Sequence, residues 1–247
     1  MGRLTTAIKH LLIINILFFV ATNLYGDQMY QWFSLWFPKN DNFGFWQIAS
    51  HMFMHGGFMH IAFNMYALYA FGSPLEKMWG KNKFFFFYFS AGLGAALIHT
   101  GVNYYYFNEG MTALVDAGLS QSSVMDIISQ GKYSPEWYNI AGKSTIENFL
   151  SAYSTPAVGA SGAIYGVLVA FGMSFPNSEL FLIFLPVPIK AKYFIPVLIG
   201  LDLFSGVTGY SLFGQGIAHF AHVGGALFGF LMMWYWKKNQ FNNNRWN

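Results

Sequence analysis

Apolar stretches of about 20 residues constrain the fold of this chain most, because a helix of that length is what a bilayer requires. Six such spans are predicted, at approximately 8–25, 58–78, 83–107, 158–175, 192–208 and 218–236. Only 9% of the residues are charged, against roughly 25% in a soluble domain, so much of the surface must face lipid rather than water. We therefore expect an all-α, polytopic membrane protein.

Cysteine content and charge exclude several other classes of protein. The 247 residues include no cysteine, which excludes disulfide bonds, thiolate catalysis and cysteine metal sites. The formal charge is only +3, and the basic residues lie at predicted helix ends rather than in one patch, so no nucleic-acid partner is expected. The first apolar run has no small-residue cleavage site after it, which favours a retained helix over a signal peptide.

Lysine and arginine residues predict the orientation of the spans. With the N-terminus inside, the cytoplasmic segments hold most of these residues: Arg3, Lys9, Lys77, Lys81, Lys83, Lys190, Lys192, Lys237, Lys238 and Arg245. The outer loops hold the remainder: Lys39, Lys132 and Lys143. We expect both termini in the cytoplasm and a single membrane domain over residues 1–247, with 26–57 as an amphipathic outer loop, 108–157 as a long outer loop and 237–247 as a cytoplasmic tail. No further helix flanks the six spans and no transit peptide is evident, which favours the inner (cytoplasmic) membrane of a bacterium.

Polar residues recur at one depth in three of the spans. His60 and Asn64 fall in the first turns of the second span, Ser161 in those of the fourth, and His219 and His222 in those of the sixth. All three spans enter from outside, and at a rise of about 1.5 Å per residue these side chains lie roughly 5–12 Å below the outer surface. Because polar groups in a membrane are costly and usually face a cavity or each other, they predict one water-accessible pocket.

Glycine stripes predict how the fourth and sixth spans pack. Two pairs of glycines repeat at a spacing of four residues: Gly162 with Gly166, and Gly225 with Gly229. Small residues at this spacing let membrane helices approach closely. Such a contact would bring Ser161 within reach of His222, which lies on the glycine stripe, whereas His219 is less well aimed. Tyr165 shares a helix face with Ser161.

These side chains suit acyl transfer. A serine hydroxyl is a weak nucleophile until a base removes its proton, and histidine suits that task near neutral pH. His60 and Asn64 stand four residues apart and both donate hydrogen bonds, so they can stabilise a developing oxyanion. Asp202 is expected nearer the middle of the fifth span, which favours a Ser161–His222 dyad over a triad.

Three motifs occur in order along the chain. They are H-x3-H-x4-H-x3-N at the second span, GASG at the start of the fourth, and AHVGG leading into the glycine stripe of the sixth. Together they resemble the rhomboid family of intramembrane serine proteases, and the likeness runs from about residue 44 to residue 232. The resemblance implies a six-helix bundle around a water-filled cavity open to the outer face. It also implies an endopeptidase that cleaves transmembrane protein substrates near that face and requires no cofactor.

The resemblance further implies roles for individual residues. Ser161 would be the nucleophile and His222 the general base, and His60 and Asn64 would line the oxyanion hole with the Ser161 backbone N–H. Four supporting residues match as well: Gly159, Tyr165, His51 and His55. The tyrosine is expected to stack on the catalytic histidine, and the two loop histidines to be structural or to line the cavity.

Two features depart from the family pattern. The first loop reads Trp46-Gln47 where the family often has Trp-Arg, so an Arg–Glu link cannot form, although Glu76 is present in the expected PLEKMWG position. The 108–157 segment is also longer than in compact bacterial members. These differences affect loop packing more directly than they affect the chemistry.

Other functional classes fit the pattern less well. His51 with His55, and His219 with His222, have spacings that a zinc site can use, but H-E-x-x-H is absent and no carboxylate is expected at the outer depth. A transporter places its polar site near the midplane and often has related halves, whereas this cluster lies near one face. A catalytically inactive, rhomboid-like protein that binds membrane proteins remains the main alternative, and the oligomeric state is left open.

Overall fold

The fold is helical, as a computed structural model of residues 4–182, 185–210 and 218–243 shows. The helices are α1 (Thr6–Tyr25), α2 (Asp27–Phe33), α3 (Gln47–Ser50), α4 (Phe58–Ala67), α5 (Ser73–Trp79), α6 (Lys81–Asp116), α7 (Gln121–Ser129), α8 (Trp137–Ala141), α9 (Lys143–Ser154), α10 (Ser161–Ser174), α11 (Ala191–Thr208) and α12 (His219–Asn243). A 3-10 turn (His51–Phe53) follows α3, and a π-helical turn (Leu68–Gly72) joins α4 to α5. The predicted all-α class is confirmed.

Some residues used in the sequence analysis lie outside the described part of the chain. They are Arg3, Arg245 and the segment 211–217 that precedes α12. The predicted connection between the fourth and fifth spans contains a small antiparallel hairpin of β1 (Glu179–Leu182) and β2 (Leu185–Lys190).

Several helices have the length and composition of membrane spans. Among the described residues, α1, α6 and α11 are long and apolar enough to cross a bilayer, and α10 is a shorter apolar helix. Large apolar side chains on α1 are exposed, including Ile16, Leu17 and Leu24. Such exposure is expected where lipid rather than water surrounds a helix. The chain is therefore a membrane protein with several spans.

The short helix α10 lies at the centre of the bundle. Its sequence SGAIYGVLVAFGMS is apolar around most of its circumference, a pattern typical of a helix buried on all sides. Most of its side chains are buried, and it packs against α4, α5, α6, α11 and α12. Because α10 packs against helices on several sides, the position of its first residue, Ser161, is fixed as well.

The predicted close contact between two glycine stripes is present where α10 meets α12. A Cβ atom placed on Gly225 would lie 1.8 Å from the carbonyl oxygen of Gly162. One turn further along, a Cβ atom on Gly229 would lie 2.6 Å from the Cα atom of Gly166. Only glycine allows the two backbones to approach this closely.

The segment 108–157, predicted as a long outer loop, contains helices. The helix of the third span does not end at residue 107 but continues to Asp116, and α7, α8 and α9 follow it. These helices bury a second hydrophobic cluster that includes Phe107, Leu114, Trp137 and Phe149. The helix continues because one face of its polar extension remains apolar and packs on α9, while the other face is exposed.

Side-chain hydrogen bonds hold the start of α1 and the first loop in place. Glu76 accepts hydrogen bonds from the backbone N–H groups of Ala7 (2.7 Å) and Ile8 (2.9 Å), so it caps the first turn of α1. Gln47, which stands where the family often has arginine, is buried. Its amide donates to the carbonyl oxygens of Asn42 (2.7 Å) and Gln31 (3.0 Å). The loop is therefore held without an Arg–Glu link.

Candidate active site

Ser161 and His222 come together at one end of the α10–α12 contact. Ser161 is the first residue of α10, and His222 lies in the first turn of α12. The Ser161 Oγ atom is 2.8 Å from the His222 Nε2 atom, an ordinary hydrogen-bond length. Gly162 follows Ser161 directly and Gly225 lies three residues after His222, so the close backbone contact of these glycines sets this distance.

Tyr165 packs flat against the imidazole of His222. The two ring centroids are 4.2 Å apart and the planes differ by only 12°. Tyr165 lies one turn after Ser161 on α10, so one helix face carries both the hydroxyl and the ring that restricts rotation of the histidine. The phenolic O–H of Tyr165 donates to the Oδ2 atom of Asp202.

Asp202, which was expected nearer the middle of the fifth span, lies within hydrogen-bond distance of both histidines. Its Oδ1 atom is 3.1 Å from His222 Nδ1 and 2.6 Å from His219 Nδ1. Asp202 lies six residues before the end of α11, or roughly 9 Å, and His222 lies three residues into α12, or roughly 4.5 Å. These two distances, from the end of α11 and from the start of α12, differ by only about 4.5 Å, which the two side chains can span.

His60 faces Gly159, which lies two residues before Ser161. A Cβ atom on Gly159 would lie 2.9 Å from His60 Nε2. Gly159 also has φ +124°, a conformation that favours glycine, so this position needs glycine for two reasons. The imidazole of His60 thus lies next to the backbone that leads into Ser161. The amide of Asn64 donates to the carbonyl oxygen of His60 (2.9 Å), which directs it along its own helix rather than toward Ser161.

His51 and His55 lie in the first loop and support the site from outside the spans. The carbonyl oxygen of His51 accepts a hydrogen bond from Gly159 N–H (2.9 Å). The Nδ1 atom of the His51 ring lies 2.8 Å from the Gln47 carbonyl oxygen. Burial lowers the pKa of His51 to about 4 and that of His55 to about 4. Both imidazoles are therefore neutral at neutral pH. The His55 ring packs edge-on against His60, with centroids 5.0 Å apart.

A small cavity borders Ser161. Its volume is about 20 Å³, and its walls include His51, His99, Gly159 and Ser161. That volume is room for about one water molecule. Among the described residues, no group of three histidine, aspartate or glutamate side chains is arranged to hold a metal ion.

Comparison with known proteins identifies the family of this chain. The family model described as Rhomboid domain matches residues 42–141 and 137–239. "Rhomboid protein 1, mitochondrial" of Saccharomyces cerevisiae is 26% identical over 77% of this chain and 42% of its own length. "Presenilin-associated rhomboid-like protein, mitochondrial" of Homo sapiens is 29% identical over 74% of this chain and 35% of its own length.

A bacterial relative is also similar. "Rhomboid protease AarA" of Providencia stuartii is 28% identical over 76% of this chain and 54% of its own length. The matched region thus spans about a third to a half of the length of these relatives. The family match covers well over half of the chain, and this protein therefore belongs to the rhomboid family.

Proposed function

We propose that this protein is an intramembrane serine endopeptidase that cleaves transmembrane proteins near the outer face of the membrane. The observation that carries the proposal is the 2.8 Å approach of Ser161 Oγ to His222 Nε2 between two packed helices. A nucleophile within hydrogen-bond reach of its base is the geometry that covalent catalysis requires. A relative named as a rhomboid protease supports the same activity.

The proposed reaction divides peptide hydrolysis into two steps. His222 Nε2 accepts the proton of the Ser161 hydroxyl as Oγ attacks the scissile carbonyl carbon, and the carbonyl becomes an oxyanion. His222 then gives the proton to the leaving amine, and an acyl-enzyme on Ser161 remains. A water molecule, deprotonated by His222, then attacks the ester carbon. The bond between that carbon and Ser161 Oγ breaks, the carboxyl product leaves, and His222 returns the proton to the serine oxygen.

The start of α10 supplies donors for the oxyanion. Ser161 is the first residue of that helix, and the first N–H groups of a helix have no partner within it. The Ser161 N–H is therefore available, and His60 beside Gly159 provides a side-chain donor close to the same point. Asn64 joins this group if its amide turns from the His60 carbonyl oxygen when substrate binds.

The proposed orientation places this site toward the periplasm or exterior of an inner (cytoplasmic) membrane. Cationic residues cluster at the helix ends opposite the site: Lys81 and Lys83 in the first turn of α6, Lys192 at the start of α11 and Lys237 near the end of α12. Cytoplasmic loops are enriched in such residues. A transmembrane substrate would reach the site sideways from lipid and present a locally unwound segment to Ser161.

Reconstitution of the full chain in liposomes with single-span substrates tests the proposal. We expect cleavage within the outer end of the substrate helix, located by the mass of the products. Addition of EDTA or 1,10-phenanthroline is expected to leave the rate unchanged, because the proposed chemistry uses only side chains. A rate abolished by chelation would contradict the serine mechanism. Stable binding of every substrate without any cleavage would favour the inactive, binding alternative.

A further inference from the structure

We propose that Asp202 is a positioning residue that holds His222 in the orientation and protonation state needed to act on Ser161. This inference rests on the proposed protease function and replaces the two-residue arrangement with a three-residue one. Asp202 is on α11, whereas the other two residues are on α10 and α12. The chemistry thus depends on the placement of three helices rather than two.

The geometry forms a continuous chain from carboxylate to hydroxyl. Asp202 Oδ1 is 3.1 Å from His222 Nδ1, and His222 Nε2 is 2.8 Å from Ser161 Oγ. The two contacts use opposite nitrogens of the same imidazole ring. A ring held at both nitrogens and stacked on Tyr165 at 4.2 Å has little freedom to rotate.

The carboxylate selects the useful tautomer of His222. An ionised carboxylate only accepts hydrogen bonds, so Nδ1 must carry the proton that points at Asp202. In a neutral imidazole Nε2 then has a free lone pair, which is what a base facing the serine hydroxyl needs. When Nε2 takes that proton, the imidazolium forms next to the negative charge of Asp202 and is stabilised by it.

The surroundings of Asp202 are suited to an ionised side chain. Asp202 is only 2% exposed, and burying an unpaired charge is costly. Donors reach it from both neighbouring helices: the Tyr165 phenol on α10 at Oδ2, and His219 and His222 on α12 at Oδ1. His219 and Tyr165 therefore hold the carboxylate in place, which leaves it oriented toward His222.

The test compares replacements at Asp202 in proteoliposomes that contain a cleavable transmembrane substrate. We expect Asp202→Asn and Asp202→Ser to lower kcat by about 10²- to 10⁴-fold per folded molecule, with KM changed by less than about threefold. Asp202→Glu keeps the charge, and its kcat is expected to be at least about tenfold higher than that of Asp202→Asn. A purely structural role would instead reduce the folded fraction and leave kcat per folded molecule unchanged.

Ser205→Ala is the matched control, because Ser205 lies one turn after Asp202 on α11 and is also buried. It is expected to keep the wild-type kcat. A folded, uncharged Asp202 variant that keeps more than about a third of the wild-type kcat would overturn the positioning role and leave the protease proposal intact. If both uncharged variants fail to fold, Asp202 has a structural role, and the positioning role is overturned as well. A wild-type chain that cleaves nothing would refute the protease function itself.

Discussion

Cleavage of a transmembrane substrate by the Ser161→Ala variant is expected to fall to the uncatalysed background, a loss of at least about 10⁵-fold in kcat. The substitution removes a single oxygen, the atom that lies 2.8 Å from His222 Nε2. The alanine Cβ atom still fits the start of α10, so the packing of that helix is expected to persist. The initial rate is measured in liposomes, and the thermal unfolding midpoint is measured in detergent.

Ser174→Ala is the matched control for this experiment. Ser174 is the last residue of the same helix and lies roughly 20 Å from Ser161 along its axis. The control is expected to retain the wild-type rate, and all three proteins are expected to unfold at similar temperatures. If the Ser161→Ala variant cleaves substrate at more than about 1% of the wild-type rate, another residue is the nucleophile.

The second large effect is expected from Gly225→Ala, which adds one methyl group to the α10–α12 contact. The new Cβ atom would lie 1.8 Å from the Gly162 carbonyl oxygen, so the two backbones must separate. Overpacking of this kind costs typically about 1–3 kcal/mol of folding stability. Separation also moves His222 away from Ser161, and a shift of about 1 Å in a catalytic geometry can reduce the rate by about 10²-fold. We therefore expect a lower unfolding midpoint together with a fall of at least that size in kcat.

Gly200→Ala controls for the substitution itself. Gly200 lies within α11, and a Cβ atom there would meet nothing within 4 Å. Alanine is the better helix former by about 1 kcal/mol, so this variant is expected to be at least as stable as the wild type and equally active. Equal stability and activity for both glycine variants would show that the helices do not depend on the glycine contact.

The sequence predicted the Ser161–His222 approach because the relevant patterns are local and periodic. The glycines that follow both residues repeat at helical spacing, and this marks the faces that touch. The position of Asp202 could not be read in the same way. It depends on how α11 and α12 are aligned along their axes, and the sequence of either helix alone does not indicate that alignment. The catalytic roles of all these residues stay predictions.

The helices within 108–157 were missed for a different reason. A hydropathy search detects helices that are apolar enough to cross a bilayer, whereas residues 108–157 are more polar than such helices. Phe107, Met111 and Leu114 follow one another at helical spacing and all lie in the second hydrophobic cluster. A search for amphipathic periodicity beyond the end of the span would have indicated that the helix continues.

Covalent labelling of the wild-type protein in membranes by a fluorophosphonate tests the account most directly. The Ser161 oxygen attacks phosphorus, fluoride leaves, and the adduct can be located by peptide mass. We predict one adduct, on the peptide that contains Ser161, with no labelling of Ser161→Ala and at least about 100-fold slower labelling of His222→Ala. Labelling of Ser161→Ala at the wild-type rate, or an adduct mapped to another residue, would contradict the account.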